Sequence, residues 1–427
     1  MLGKKIGLVA FIVMIMGILM SCGTKKEETK QSETQTKTEG TEITMMVPDW
    51  GVPTEAMLED FKKESGITVK VLPTSWDDIK SKVAVAAAGK KAVADIIEVD
   101  WSWVGEFVSA GWLEELQLDP ETVKDIPSIS SFEVNKKIYA VPYANDLRVG
   151  FLNKKMLEKA GVNTIPATWE DLEKVMDQLK AKGVVNHPLL FPMNPEEKTT
   201  TSFLTLAFTR SGIVFNNDDT LNKDSVLDAL QTLERLLKKG YIDPMTPSMP
   251  GMDVFKGIIN GKGAFLVGPT FFITSSNNPK ESSVVGEIVT IPLPGKGKTS
   301  YRTIAFTEAV GISSYSENKE AAKKFLDWMN RPEIQLRLNK EIDNIPTRTS
   351  VIEKMVKDGI LGTEAGSLVE QSKIVASPFP NGVPKYYTKM STEIFNIVSQ
   401  LGQGKLTAEQ AADLMVEKVN ALAKENK

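Results

Sequence analysis

Residues 42–72, EITMMVPDWGVPTEAMLEDFKKESGITVKVL, alternate between the two periodicities of regular structure. Residues 43–47 form a short apolar run that stops in the loop Pro48-Asp49-Trp50-Gly51. Residues 55–65 then place Met57, Leu58 and Phe61 on one helical face, and Gly66 stops the helix before a second apolar run at 67–72. The pattern repeats outward: a helix over 76–88 stopped by Gly89, a strand over 95–99 closed by Asp100-Trp101-Ser102-Trp103, and a helix to Ala110 ended by Gly111. Strands alternating with helices predict an α/β fold with a mostly parallel sheet and right-handed crossovers.

Further along, 137–141 reads as a strand that Pro142-Tyr143-Ala144-Asn145-Asp146 interrupts; 149–153 is extended again, and a helix follows at 155–161. Thr168 caps the next helix with Asp171 in the capping-box position. Helices dominate to Gly240. Residues 263–267 predict a strand ending in Gly268-Pro269-Thr270-Phe271-Phe272. Strands at 289–292 and 309–312 flank a glycine-rich turn, a helix spans 318–329, and further helices complete the chain. No internal repeat is present. A helical stretch between two βα-rich regions suggests a second lobe inserted into the first.

The N-terminus reads as a targeting signal. Lys4 and Lys5 precede an apolar run at 6–20, too short for a relaxed membrane span. Leu19-Met20-Ser21-Cys22 resembles the lipobox of bacterial lipoproteins, and Cys22 is the only cysteine in 427 residues. The expectation is cleavage after residue 21 and lipid modification of Cys22, the alternative being an uncleaved signal anchor. Residues 23–40 are polar and lack aromatics, as in a flexible tether.

Loss of Lys4 and Lys5 leaves 49 basic against 55 acidic side chains, so no basic face for nucleic acid is expected. The single histidine, His187, lies in Asn186-His187-Pro188 without nucleophile partners in motif context. No P-loop, dinucleotide fingerprint or metal-ligand cluster is visible, so no catalytic residue, metal or cofactor is assigned and the chain reads as a binder rather than an enzyme.

Several motifs in order then carry a resemblance. Phe61-Lys62-Lys63-Glu64-Ser65-Gly66-Ile67-Thr68-Val69, Ala87-Ala88-Gly89 with Asp95-Ile96-Ile97, and Ser109-Ala110-Gly111-Trp112-Leu113 come first. Tyr139-Ala140-Val141-Pro142-Tyr143 with Phe151-Leu152-Asn153-Lys154 follows, then the span 166–172, Asn260-Gly261-Lys262-Gly263-Ala264, Gly268-Pro269, Pro292-Leu293-Pro294-Gly295 and Ile345-Pro346-Thr347-Arg348. Together, over roughly 43–423, the chain resembles the family 1 extracellular solute-binding proteins, the maltose-binding-protein-like group. The resemblance implies the type II periplasmic-binding-protein fold, two doubly wound lobes linked by a hinge that closes on a small solute, for which a sugar is expected. It also implies delivery to the transmembrane subunits of an ABC permease by a monomer whose only membrane contact is its lipid anchor, exported to the extracytoplasmic face or periplasm. The expected division is 1–21 signal peptide, 22–41 tether, 42–146 and 303–346 first lobe, 147–302 and 347–427 second lobe.

A sugar presents C–H faces to flat aromatics and hydroxyls to carboxylates, amides and guanidinium groups. Ligands of open α/β sheets sit at the carboxyl ends of strands. The candidates are therefore Asp49, Trp50, Trp76, Asp100, Trp101, Ser102 and Trp103, with core packing as the alternative for the tryptophans. Asn145 and Asp146 lie at the hinge, where a salt bridge of Asp146 to Arg148 is the competing reading. Arg302 and Glu308 flank a hinge strand, and Arg348 follows the third crossing, with a structural role equally open. Tyr386 and Tyr387 belong to a late aromatic patch. After Gly268-Pro269 the family carries a stacking tryptophan; here Thr270, Phe271 and Phe272 stand instead, which argues against maltose. Glycerol phosphodiesters, polyamines and peptides are the alternative solutes, and a surface receptor or adhesin the alternative role. Polyamine binding would need more cleft carboxylates than the sequence assigns.

Overall fold

The computed structural model describes residues 40–362 and 365–426; the expected signal segment, Cys22 and residues 22–39 of the tether lie outside them. Among the described residues no helix is long and apolar enough to cross a membrane.

Strand β1 (Glu42–Val47) leads through a 3-10 turn at Asp49–Gly51 into helix α1 (Glu55–Ser65). Thr54 caps α1 by accepting from the Met57 N–H, and Gly66 ends it at φ 73°, a left-handed conformation that costs glycine little. Strand β2 (Thr68–Pro73), helix α2 (Trp76–Ala88), strand β3 (Ile96–Asp100) and the short helix α3 (Val104–Ser109) follow. A two-residue hairpin, β4 (Glu133–Val134) and β5 (Lys137–Ile138), precedes β6 (Val141–Ala144). The expected strand at 137–141 is thus two pieces, and Pro142 lies inside β6 rather than interrupting it. An edge strand tolerates the missing N–H, and β6 is the edge of its sheet.

From β7 (Arg148–Asn153) the chain builds the second lobe: α5 (Lys154–Ala160), α6 (Trp169–Ala181), β8 (Leu189–Leu190), α7 (Glu197–Ser211), α8 (Lys223–Lys238), β9 (Phe265–Pro269) and β10 (Ile288–Ile291). The short helix α4 (Pro120–Asp125) belongs to the first lobe's loop region. Strand β11 (Glu308–Ile312) then returns to the first sheet, whose order is β2-β1-β3-β11-β6. The β2-β1-β3 part is parallel, but β11 runs antiparallel to both β3 and β6. In the second sheet, β10-β7-β9-β8, only β8 and β9 are parallel. The expectation of a mostly parallel sheet is therefore corrected. The chain enters the second lobe on β7 against both its neighbours and comes back into the gap beside β3 from the opposite direction.

On one face of the first sheet, Phe61 packs against Phe325 and Trp328 at ring centroid distances of 4.9 and 5.3 Å. The second sheet buries Phe151, Phe255, Leu266 and Phe272 with Ile352 and Met355. A third cluster runs from Val99, Trp101 and Phe107 of the first lobe through Phe306 to Phe379 and Tyr387.

The passages between the sheets lie side by side. The Asn145 N–H donates to Ile345 O at 2.8 Å, Phe306 N–H to Asp146 O at 2.9 Å and Arg148 N–H to Ile304 O at 2.9 Å. Asn145 Nδ2 adds a bond to Pro346 O at 3.1 Å.

Candidate functional site

The site grows from the carboxyl end of β3. Asp100 is the strand's last residue and Glu308 its register partner on β11, which puts both side chains on one face of the sheet. Glu98, two residues earlier, shares that face. Asp100 accepts from Ser102 N at 2.8 Å and is also bonded by the Trp76 side chain. Burial outweighs these donors and pushes its carboxyl up to about 6.

Glu308 accepts from the Trp50 indole N–H. Tyr143 Oη sits 2.9 Å from Glu98 Oε2 and 3.1 Å from Glu308 Oε2. A phenol has one proton, so both contacts are hydrogen bonds only when a carboxyl supplies the second. The surroundings agree: burial, then the neighbouring Glu308 charge, holds Glu98 well above the carboxylate range, and burial with the Asp100 charge pushes Glu308 up to about 7.

The second lobe supplies the opposite wall. Arg148 opens β7, donates to Asp146 Oδ1 at 2.5 Å, and lies 4.7 Å from the Phe306 ring centroid. Burial raises Asp146 despite that partner. Glu197, the first residue of α7, accepts from Tyr387 Oη at 2.5 Å and Ser391 Oγ at 2.6 Å, and burial pushes it up to about 7. Trp101 joins the walls, its ring 4.6 Å from Phe306, 4.7 Å edge-on from Tyr387 and 6.5 Å from Phe379. Backbone contact is equally close there, because a Cβ on Gly105 would collide with the Val383 carbonyl.

Of the sequence-predicted residues, Trp50, Asp100, Trp101, Ser102, Asp146, Glu308 and Tyr387 come together at this junction. Asp49 stands beside Trp50 in the 3-10 turn. Trp50 is 50% exposed and Phe271 40% exposed, with the Phe271 ring tilted against Phe272 at 4.4 Å.

Others are turned to structural tasks. Trp103 is buried between Trp76 (4.7 Å) and Phe107 (5.9 Å). Phe272 packs inward on Phe151, and the buried Thr270 hydroxyl donates to Asn145 O at 2.7 Å. Asn145 itself ties crossings together. Arg348 donates to Asn330 O at 2.6 Å, Asp125 Oδ2 at 2.9 Å and Thr122 Oγ1 at 3.1 Å, a linkage that bridges α4 and the start of the helix Thr349–Lys357. Arg302 is exposed against Tyr301, its guanidinium 5.7 Å from that ring centroid. Tyr386 lines a separate groove of about 580 Å³ with Lys80, Ser109 and Lys389.

Sequence reasoning missed Glu98, Tyr143, Glu197, Phe306 and Phe379. Glu98 carried a signal, a charged residue inside the apolar run Ile96-Ile97-Glu98-Val99. Glu197 did not, since acidic residues opening a helix are ordinary.

Comparison with known proteins agrees with this architecture. The sequence profile described as "Bacterial extracellular solute-binding protein" matches residues 48–336. A protein of Brucella abortus named as a binding protein is 27% identical over 301 residues, 67% of this chain and 72% of that one. A maltooligosaccharide ABC transporter solute-binding lipoprotein of Streptococcus pneumoniae is 24% identical over 94% of each chain. The solved sugar-binding protein MalE from Xanthomonas citri superposes with a TM-score of 0.78 at 21% identity, covering 90% of this chain and 98% of that one. The fold is accordingly the two-lobed α/β periplasmic-binding-protein fold seen in that structure. With two sheets joined by three tied passages and a profile match over most of the chain, this protein belongs to the bacterial extracellular solute-binding protein family.

Proposed function

We propose that the chain captures a carbohydrate, specifically an oligosaccharide, between its two lobes and delivers it to the permease of an ABC importer. The lobes divide at 146/147, 302/303 and 346/347, and closure about the tied crossings holds Glu197 and Tyr387 against Asp100 and Trp101. Cys22 carries the lipid that holds the monomer at the membrane, and the bound solute leaves chemically unchanged.

One observation carries this reading. At the carboxyl end of the first sheet, aromatic faces and carboxylates converge from both lobes: Trp101 against Tyr387, with Asp100, Asp146, Glu308 and Glu197 around them. That is the mixture a sugar needs, flat apolar surface for its C–H faces and acceptors for its hydroxyls. The half-exposed Trp50 and Phe271 offer further stacking surface. The names of the pneumococcal and Xanthomonas proteins, which cite maltooligosaccharide and sugar, favour the same class.

The test is a thermal-shift panel of mono- and oligosaccharides, polyols, glycerol phosphodiesters, polyamines and peptides. A ligand at 100 times its Kd adds ~2.7 kcal/mol of stability. A shift with at least one carbohydrate is expected, together with recovery of that sugar intact. Shifts confined to the other classes would overturn the carbohydrate reading, and release of reducing sugar would overturn the binder reading. Cys22→Ala in the full chain is expected to move the protein from the membrane to the soluble fraction.

A further inference from the structure

The cleft carries more negative charge than its own side chains neutralise. Glu98, Asp100, Asp146, Glu197 and Glu308 bear on one another: Asp100 feels Asp146, Glu197 feels Asp100, Glu98 feels Glu308 and Asp100, and Glu308 feels both Asp100 and Asp146. The compensating cations are Arg148, spent on Asp146, and Lys198, whose charge reaches Asp146 and Glu197. Asp100, Glu98 and Glu308 meet mainly like charge. Buried like charges at this separation are unfavourable until a proton or a cation joins them.

A second, independent feature concerns unmade hydrogen bonds. Glu98 is fully buried, yet its Oε1 makes no close hydrogen bond, the Ala309 backbone N–H being the one donor besides Tyr143 that acts on this carboxyl. The other oxygen of the same carboxyl joins Tyr143 and through it Glu308. Asn145 Oδ1, buried next to Asp146, is also without a donor. Both orphans are acceptors, and an ammonium group is the one common solute group with three donors and no acceptor. Arg148 Nε and the buried Thr307 hydroxyl are also unpartnered, and both can donate to a sugar hydroxyl oxygen. Among the described residues no group of three or more His, Cys, Asp or Glu side chains is arranged to hold a metal ion.

We propose that the solute carries an ammonium group, seated against Asp100 and Glu308 at the end of the first sheet and faced by Glu197 from the second lobe. This rests on the carbohydrate reading and narrows it to an amino sugar. The aromatic set around Trp101 receives the ring while the carboxylates receive the amine. A polyamine offers the same ammonium chemistry on a different frame, and the experiment separates the two.

Titration calorimetry on the intact soluble domain compares matched ligands: glucosamine trisaccharide, its N-acetylated counterpart, a neutral glucose trisaccharide, and spermidine. Expected is at least a tenfold preference for the free amine over its acetylated and neutral counterparts. Glu308→Gln should remove most of that preference, read as the ratio of amine to neutral-sugar affinity within the variant. Binding of neutral or acetylated sugar as tightly as the amine would overturn this inference and leave the carbohydrate reading standing. Spermidine binding without any sugar would support the ammonium site and overturn the carbohydrate frame. No binding by either amine would overturn the inference outright, and the wild-type ligand comparison decides it even if the variant fails to fold.

Discussion

The two ends of β3 carry carboxylates in opposite circumstances. At the amino end, Asp95 accepts from Thr44 N at 2.8 Å, Thr44 Oγ1 at 2.9 Å, Ser316 Oγ at 2.6 Å and Asn318 Nδ2 at 3.2 Å. Burial alone would raise it, but these donors outweigh burial and hold it below the usual range. At the carboxyl end, Asp100 has Ser102 and the Trp76 side chain, and Glu98 has half a carboxyl unmatched. One strand therefore finishes its hydrogen bonding at one end and withholds it at the other. The completed end is a joint between β1, β3 and the loop after β11; the incomplete end keeps acceptors unmatched.

The contrast can be broken most directly at the completed end. Asp95→Ala leaves a backbone N–H and three side-chain donors facing a void, and each buried orphan costs ~1 kcal/mol or more. A loss of about 3 kcal/mol in urea unfolding is expected, and a loss below about 1 kcal/mol would erase the distinction between the ends.

Acidity probes the incomplete end. Glu98, Asp100, Glu197 and Glu308 have folded values above their unfolded ones, so the native state keeps protons that the unfolded chain has released. With more protons bound in the native state, stability falls as pH rises from the unfolded value near 4 through the folded values of about 6 to 7. Asp95, Asp125 and Asp228 are held low and act in the other direction, losing their contribution only on the acid side of about pH 4. The cations that face these groups are Arg148 and Lys198. The ligand-free protein should thus be more stable at pH 5.5 than at pH 7.5, by roughly 2 kcal/mol. Denaturant midpoints at the two values check it, and a midpoint that rises toward pH 7.5 would contradict the assignment.

The smallest effect sharpens the comparison. Glu98→Gln keeps the shape and the Tyr143 contact while replacing a buried carboxyl whose hydrogen bonding is half unmade, so a change within ~1 kcal/mol, including a gain, is expected. A loss comparable to that of Asp95→Ala would mean that Glu98 is as fully partnered as Asp95.

Legibility in the sequence followed the range of the physics involved. Helices at 55–65 and 76–88 have the bounds read from their flanks, because Thr54, Gly66 and Gly89 act within a turn of where they stand. β8, two residues long, offers no period to detect, and the edge position that excuses Pro142 exists only once β11 has paired with β6. At the site, Asp100, Trp101, Ser102, Asp146 and Glu308 could be picked out by their places at strand ends and crossings. Glu197, Phe306 and Phe379 reach them across large sequence separations through packing, and Arg348 finds its work with Asp125 on another helix.

The position of β11 has a consequence in time. A ribosome releases β3 and β6 long before the strand that belongs between them, since the entire stretch from β7 to β10 is made first. Until β11 arrives, β3 and β6 each present an open backbone edge, and pairing across so long a loop is slow. The last strand to be threaded home is also the one that sets Glu308 against Asp100. A half-made chain therefore lacks the Glu308–Asp100 pairing at the end of its first sheet, which forms in a single late step.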